Sequence, residues 1–321
     1  MSLSEFALIK QYFSSVGGVE GVALGVGDDG AVLDISPDQQ LVVSVDTLVA
    51  GVHFPQDAAP EDIAHRTLRV NLSDMAAMGA DARWFTLALT LPQAEPDWLQ
   101  AFSEALAEDA QHFGCALVGG DTTAGPLSIS IQMMGTVSRG QALVRGGAQA
   151  GDGVYVTGTL GEGAAALQVF SPGCSYNDSQ REVLLKRFYR PEPRLTVGRK
   201  LRGVASAAID VSDGLLADLG HIAECSGLGA ELQLQQVPVA PWLAEAVNPD
   251  QLQSWILSGG DDYELCFTVP ESKQSLVDGM IHRGELLATR IGLMTSEPGI
   301  VCLDAEGQVQ TVARKGYQHF N

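Results

Sequence analysis

Two hydrophobic periodicities alternate along the chain, and together they predict an α/β protein. Strand-like apolar runs occur at 41–49, 85–91 and 127–137. Between them, apolar residues recur with the spacing of amphipathic helices at 60–78 and 97–113. We therefore expect the first half of the chain to form a sheet packed against helices.

A segment rich in glycine, alanine and glutamine, 140–151, carries no core pattern and predicts a domain linker. The pattern then restarts with a strand at 153–157. The sequence thus predicts two domains, 1–139 and 152–321, joined by 140–151. For the second domain we expect helices after Gly163, around 178–189 and 194–203, from Gly214 and near 272–282, with strands ending at Asp210, at 264–269 and at the close of the chain.

The overall charge argues against two classes of function. The chain has 321 residues, with 19 Lys and Arg against 39 Asp and Glu, a net charge of −20. Nucleic-acid binding through basic side chains and docking on anionic lipid are both disfavoured. Because 45% of the residues are hydrophobic and only 18% are charged, the composition is that of a globular protein. So acidic a chain should also repel acidic substrates.

The chain offers no evidence of export or of a membrane anchor. Its N-terminus lacks the basic start and apolar core of a signal peptide, and its longest weakly charged stretch, 115–138, is broken by glycines and a proline. The five cysteines are widely spaced and include no C-x-x-C pair, which argues against a disulfide framework or structural zinc. We expect a cytoplasmic protein.

The common nucleotide-binding motifs are either incomplete or absent in this sequence. The G-x-G-x-x-G at 25–30 has aspartates at both variable positions and is followed by strand-like residues, so it lacks the helix N-terminus that would hold phosphate. Gly120 to Gly125 begins like a P-loop, but no Gly-Lys dipeptide follows. The H-R-D and D-F-G protein-kinase motifs, G-x-S-x-G and H-E-x-x-H are also absent.

Aspartate recurs in six short motifs flanked by glycine or serine, several of them at predicted strand ends. These motifs lie at 27–30, 44–47, 71–74, 119–123, 210–214 and 259–263. One such motif alone is an ordinary turn or helix cap. Two carboxylates about 4 Å apart repel by roughly 4 kcal/mol at an effective dielectric of 20, so converging aspartates need a divalent cation or raised pKa values. Oxygen ligands with few histidines favour Mg²⁺ or Mn²⁺ shared with substrate phosphates.

These motifs, in this order, resemble those of the thiamine-monophosphate kinases over essentially the whole chain. The matching segments are Ser4 to Phe6, GVGDDGAVL at 25–33, SVDTLVAGVHF at 44–54, NLSDMAAMGA at 71–80, GGDTTAGP at 119–126, YVTGTLG at 155–161, DVSDGLLADLGHI at 210–222, SGGDDYELCFTV at 258–269 and KGYQHF at 315–320. That family shares a superfamily with aminoimidazole-ribonucleotide synthetase and selenophosphate synthetase.

The resemblance implies a two-domain α/β (α+β) fold of the aminoimidazole-ribonucleotide-synthetase type. In it, the N-terminal sheet forms a barrel across a homodimer and binds ATP and Mg²⁺, and a C-terminal α/β sandwich domain completes the substrate site. It also implies ATP-dependent phosphorylation of thiamine phosphate to thiamine diphosphate, the last step of thiamine diphosphate biosynthesis, assisted by several Mg²⁺ ions.

Residue by residue, the resemblance implies three sets of contacts. The implied Mg²⁺ ligands are Asp29, Ser44, Val45, Asp46, Asp74, Asp121, Asp210 and Asp213. The implied ATP contacts are Gly120, Asp121, Arg145 and Ser212, and the implied thiamine-phosphate contacts are His53, Asp261 and Tyr317.

Two positions depart from the family pattern, in which Thr is common at 45 and Glu at 261. Val45 can bind a metal only through its carbonyl, and Asp261 is one methylene shorter than glutamate. By their own chemistry, Arg145 could neutralise phosphate or lie solvated, and Tyr317 could face a thiazolium cation or pack at the chain end.

The acceptor would be a phosphate monoester, mostly dianionic at neutral pH, whose oxygen needs positioning rather than a general base. We therefore expect direct in-line transfer with no catalytic base and no phosphoenzyme. The alternatives are another enzyme of the superfamily, such as aminoimidazole-ribonucleotide synthetase, or a non-catalytic Mg-nucleotide sensor. Selenophosphate synthetase would need a reactive cysteine near the N-terminus, whereas the first cysteine here is Cys115.

Overall fold

The computed structural model describes residues 5–17, 20–27, 29–310 and 316–317. The chain divides into two compact units: Met1–Met75 with Ala80–Gly140, and Ala76–Gly79 with Gln141–Asn321. Ser4, Asp28, Lys315 and 318–320, which belong to the motifs quoted above, lie outside the described residues.

The first unit is built on one mixed four-stranded sheet. Its helices are α1 (Glu5–Tyr12), α2 (Pro60–Ala77) and α3 (Pro96–Phe113), and its strands are β1 (Val22–Leu24), β2 (Val32–Leu33), β3 (Gln39–Val49), β4 (Asp81–Leu91), β5 (Ala116–Ala124) and β6 (Ser128–Ser138). The sheet order is β3-β6-β4-β5, antiparallel except for the parallel β4–β5 pair, while β1 and β2 form a separate antiparallel ribbon. Within the described part of this unit the sheet is open, with β3 and β5 as its edges, and no closed barrel forms.

Along edge strand β3, only one face of the sheet is covered. Side chains alternate along a strand, and Val42 and Leu48 are buried on the face that meets α2. Leu41, Val43 and Val45 point to the other face and are 44%, 50% and 60% exposed in the single chain.

The second unit is built on a seven-stranded sheet. Its strands are β7 (Gly153–Thr157), β8 (Ala207–Val211), β9 (Gly229–Gln233), β10 (Glu264–Val269), β11 (Ala288–Thr295), β12 (Gly299–Leu303) and β13 (Val309–Gln310). Its helices are α4 (Glu162–Leu167), α5 (Asp178–Tyr189), α6 (Leu195–Leu201), α7 (Leu215–Ser226), α8 (Pro241–Ala246), α9 (Pro249–Ser258) and α10 (Glu271–His282), with single 3₁₀ turns at Gln168–Phe170 and Leu234–Gln236. The strand order is β13-β12-β9-β11-β7-β10-β8.

Strand direction gathers three loops at one end of this sheet. Strand β10 runs antiparallel to both β7 and β8, and Glu264, its first residue, pairs with Val211, the last residue of β8. Strand β7 ends at Thr157 at the same end. The loops 158–161, 212–214 and 259–263 therefore lie close together.

The described helices give no evidence of a membrane span. Throughout residues 5–17, 20–27, 29–310 and 316–317, no helix combines the length and apolar character needed to cross a bilayer.

Candidate functional site

In the first unit, an oxygen-rich cluster forms where β3 faces α2. Ser44 and Asp46 are two residues apart and share a face of the strand, while Asn71 and Asp74 are three apart and share a face of the helix. The Ser44 hydroxyl donates to Asp74 Oδ2, and the Asp46 N–H donates to Asn71 Oδ1 at 3.1 Å. Three predicted metal ligands, Ser44, Asp46 and Asp74, are thus brought together by a strand and a helix that the sequence predicted.

The turn after β3 presents His53 in a defined orientation. The Val49 N–H donates to His53 Nδ1 at 3.0 Å, so a neutral imidazole carries its proton on Nε2. The buried side chain of Arg66 holds the same turn by donating from Nε to the His53 carbonyl at 3.0 Å. His53 therefore offers an Nε2–H hydrogen-bond donor.

Strand β5 carries Gly120 and Asp121 at the other edge of the sheet. Ladder register places Asp46 and Gly120 in one cross-strand row and Asp121 in the next. Three strand spacings of about 4.8 Å separate the edges, or roughly 14 Å. A Cβ on Gly120 would lie 1.9 Å from the Leu87 carbonyl oxygen, so only glycine allows this approach.

Asp29 and Val45 are the other two predicted metal ligands in the first part of the chain. Asp29 is exposed in the turn between β1 and β2. The backbone N–H of Asp46 points to the free edge of β3, and successive residues point their backbone groups to opposite edges, so those of Val45 face β6. A metal bound through the Val45 carbonyl would have to share that oxygen with the ladder. The roles of Asp29 and Val45 stay predictions.

In the second unit, predicted residues from three separate segments meet. The Asp261 N–H donates to the Ser212 carbonyl at 2.9 Å, and the Tyr317 N–H donates to the Asp213 carbonyl at 3.0 Å. Asp210, which is buried, lies on β8 just before this loop. The 212–214 loop is the centre of the cluster, with 259–263 and 316–317 packed against it.

Arg145 lies toward the other end of β8. Its neighbour Val144 accepts a hydrogen bond from the Ala208 N–H at 3.0 Å, whereas Ser212 follows the last residue of the strand. Residues 208 and 212 are separated by roughly 13 Å of extended chain. The exposed Arg145 thus follows a residue that pairs at the opposite end of β8 from Ser212.

Two buried carboxylates beside this cluster were not assigned a role from the sequence. Asp218 accepts from the N–H groups of Asp213 and Gly214 at 3.1 and 3.0 Å, and burial together with the charge of Asp213 raises its pKa to about 7. Burial also raises the pKa of Asp262 to about 7, against the opposing charge of Arg187 and two backbone N–H groups. Both lie in aspartate-rich segments of the sequence, Asp218 in the first turn of α7 and Asp262 in the 259–263 loop, but their burial is a property of the folded chain.

Glu264, another buried acid of this unit, is held by two arginines. Its carboxylate is fully buried and accepts from Arg187 and Arg194 at 2.6 Å and from the Thr157 hydroxyl at 2.6 Å. Burial pushes its pKa up, but the Arg194 and Arg187 contacts outweigh that effect and hold the pKa below its usual range. This charge pairing fixes the start of β10, next to Asp261.

No ready-made metal cage is visible in the part of the chain that the structure describes: no three His, Cys, Asp or Glu side chains converge there. The donors come instead in small sets, such as Ser44, Asp46 and Asp74. Water molecules and a bound polyphosphate would complete the coordination of an ion such as Mg²⁺.

Family models match both halves of the chain. Residues 27–137 match the AIR synthase related protein N-terminal domain, and residues 149–304 match the C-terminal domain. The thiamine-monophosphate kinase of Escherichia coli (strain K12) is 46% identical over 322 residues, covering 100% of this chain and 99% of that protein.

Solved structures agree with this likeness. The thiamine-monophosphate kinase of Stenotrophomonas maltophilia K279a has a TM-score of 0.86 at 44% identity, covering 97% of this chain and 99% of the other. A second structure, AaThiL complexed with AMPPCP and TMP, has a TM-score of 0.78 at 28% identity and covers 100% and 99% of the two chains. The chain therefore belongs to the AIR synthase related family and, within it, to the thiamine-monophosphate kinases.

Proposed function

We propose that this enzyme transfers the γ-phosphoryl group of ATP to thiamine phosphate, giving thiamine diphosphate and ADP. The observation that carries the proposal is the 46% identity to a thiamine-monophosphate kinase along the entire chain. A structural relative that spans the same length is complexed with AMPPCP and TMP, which supports ATP and thiamine phosphate as the two substrates.

The donor chemistry of the first unit fits Mg²⁺. Ser44, Asp46 and Asp74 offer hydroxyl and carboxylate oxygens, the hard ligands that this ion prefers. Mg²⁺ is usually held by one or two carboxylates and by substrate phosphates, which agrees with donors arranged in small sets. When bound, it would neutralise charge on the transferring phosphoryl group. The proposed ligands are Asp29, Ser44, Val45, Asp46, Asp74, Asp121, Asp210 and Asp213.

The roughly 14 Å between the two sheet edges supports more than one ion. Mg²⁺ binds oxygen at about 2.0–2.1 Å, so one ion cannot bridge Asp46 and Asp121 of the same chain at that separation. We therefore propose several ions, each held by its own small set of carboxylates.

The proposed substrate contacts come from both units of the chain. The polyphosphate contacts are Gly120, Asp121, Arg145 and Ser212, and the contacts to thiamine phosphate are His53, Asp261 and Tyr317. The Nε2–H of His53 suits a phosphate oxygen. Because the acceptor oxygen is already anionic, positioned charges replace a general base, and transfer is direct and in line.

We also propose that two copies pair through the open face of the first unit. Three apolar side chains in a row, Leu41, Val43 and Val45, are exposed on edge strand β3. Val43→Asp should therefore shift the sedimentation coefficient from that of a dimer to that of a monomer. Leu287→Asp, at a 70% exposed apolar residue of the second unit, is the control that should leave the dimer intact. A monomeric wild-type protein would contradict the pairing.

The proposal for the cellular compartment is based on the cysteines alone. All five are free, as a reducing environment maintains them, and we propose the cytoplasm.

An acceptor panel tests the proposed reaction. Purified protein is given ATP, Mg²⁺ and either thiamine phosphate, thiamine or no acceptor, and ADP and thiamine diphosphate are quantified. We expect equal amounts of ADP and thiamine diphosphate with thiamine phosphate, and little ADP otherwise. Bound ATP without product would refute the kinase and favour a nucleotide sensor.

A further inference from the structure

Loop 259–263 holds its backbone in an unfavourable conformation around Asp262. Among the described non-glycine residues, only Asp261 and Tyr263 have positive φ, at 68° and 50°. Such conformations persist only where the surrounding structure enforces them, and they cluster at functional sites. The two strained residues bracket one buried carboxylate.

That carboxylate ties the loop to the turn before α4. Asp262 is 1% exposed, and its Oδ2 and Oδ1 accept from the N–H groups of Gly161 and Gly163 at 2.8 and 3.0 Å. On the other side, the N–H groups of Asp261 and Tyr263 donate to the carbonyls of 212 and 211 at 2.9 and 2.8 Å. The loop is therefore bonded to both of its neighbours.

Close backbone approach leaves the loop no room to relax. A Cβ added at Gly163 would lie 2.5 Å from the carbonyl carbon and oxygen of Asp261. A Cβ added at Gly260 would lie 2.3 Å from the Ser212 carbonyl oxygen. Real side chains do not tolerate such separations, so glycine at both positions lets the three loops touch through their backbones.

The carboxylate of Asp261 is itself oriented. The Tyr263 hydroxyl donates to Asp261 Oδ1 at 3.0 Å, two residues along the same loop. Asp261 is half-buried, in contrast to the fully enclosed Asp262. Asp261 is thus held at its backbone by the Ser212 carbonyl and at its carboxylate by the Tyr263 hydroxyl, while part of the residue is exposed to solvent.

We propose that Asp262 and Tyr263 are positioning residues for the acceptor substrate. Asp262 sets the backbone of Asp261, and Tyr263 sets the rotation of its carboxylate. The proposal rests on the proposed function, in which Asp261 contacts thiamine phosphate. A side chain held in place binds its ligand without first losing conformational freedom, so loosening it should weaken acceptor binding selectively.

Steady-state kinetics of Asp262→Asn test the role of the buried acid. Asparagine has one acceptor oxygen where aspartate has two, so one of the two glycine N–H groups loses its partner. We expect the KM for thiamine phosphate to rise about tenfold while the KM for ATP stays within about twofold. Tyr263→Phe, which removes only the hydroxyl, should raise the same KM by about threefold.

The matched control is Asp152→Asn, at the opposite end of β7. Asp152 is 4% exposed and accepts from the Gln149 N–H at 2.9 Å and the Ser206 hydroxyl at 2.5 Å. This variant should lose stability comparably but keep both KM values. If Asp262→Asn also keeps both KM values, Asp262 is merely structural and the proposal is overturned.

Gly163→Ala provides a second route should Asp262→Asn fail to fold. It displaces the Asp261 carbonyl while leaving the Asp262 carboxylate intact, and we expect the same selective rise in the KM for thiamine phosphate. An unchanged KM in a folded Gly163→Ala enzyme overturns the proposal. A wild-type enzyme that makes no thiamine diphosphate refutes the proposed function itself, a result distinct from either variant outcome.

Discussion

Breaking a buried ion pair between α2 and α3 should strongly destabilise the first unit. Asp109 is 1% exposed and accepts from Arg69 Nε and Nη2 at 2.8 Å and from His65 Nδ1 at 2.9 Å. The Arg69 guanidinium also lies 5.1 Å from the centre of the Phe113 ring. Asp109→Asn keeps the shape of the side chain but removes the charge that both partners face.

The expected cost follows from the burial of the pair. Removing one partner of a buried ion pair leaves an uncompensated charge and typically costs about 3 kcal/mol or more. At roughly 2–4 °C for each kcal/mol in a unit of this size, the unfolding temperature should fall by about 6–12 °C. The same helix α2 carries Asn71 and Asp74, so the loss should also loosen the predicted metal cluster.

The pH dependence has a defined sign. Burial pushes the pKa of Asp109 upward, but hydrogen bonds from His65 and Arg69 outweigh it and hold the pKa below its ordinary value. A carboxyl group whose pKa is lower in the folded than in the unfolded state stabilises the fold. This stabilisation is complete when the pH is above the unfolded-state pKa, and it is lost as the pH falls through the folded-state pKa. The gap between wild type and Asp109→Asn should therefore be constant near neutrality and shrink at acid pH.

Scanning calorimetry from pH 7 to pH 3 provides the assay. Glu285→Gln is the control, because Glu285 pairs with Arg283 at 2.7 Å with both side chains about half exposed. That variant should unfold close to wild type. An Asp109→Asn transition within about 2 °C of wild type at pH 7 would refute the reasoning, as would a gap that persists unchanged to pH 3.

Three further predictions concern the site. Asp46→Ala or Asp121→Ala should lower kcat by about a hundredfold or more with the circular-dichroism spectrum unchanged, and near-normal rates at saturating Mg²⁺ would remove that residue from the metal shell. Gly120→Ala should lower the unfolding temperature, because the added Cβ would lie 1.9 Å from the Leu87 carbonyl oxygen. The control Gly220→Ala, whose Cβ would lie 4.0 Å from the Ile300 side chain, should not lower it, and equal unfolding temperatures for the two variants would contradict this reasoning. EDTA should abolish ATP binding measured by calorimetry, since carboxylates without metal repel polyphosphate, and undiminished binding would contradict a metal-loaded site.

The long elements could be predicted from the sequence because each buries one face. The run of apolar residues at 41–49 predicted β3, although only Val42 and Leu48 of that strand are buried, and the pattern at 60–78 predicted α2 from its apolar stripe against the core. Strand β5 was missed because its second half carries glycine, aspartate and threonine instead of core residues. Strand β9 and helices α8 and α9 were also missed.

The site could be predicted only in part. Aspartates at strand ends pointed to segments that meet in each unit, as Ser44 and Asp74 do in the first. The contacts of Asp262 could not be predicted, because its carboxylate accepts from backbone N–H groups about a hundred residues earlier in the chain. Positive φ at Asp261 is likewise a product of packing.

The most direct test of phosphoryl transfer to thiamine phosphate is a ³¹P NMR time course of one sample. The sample contains the purified chain, Mg²⁺, ATP and thiamine phosphate. The account predicts that the monoester resonance disappears as the coupled doublets of thiamine diphosphate grow in step with those of ADP. A monoester resonance that persists while ATP is consumed to ADP and inorganic phosphate would contradict it.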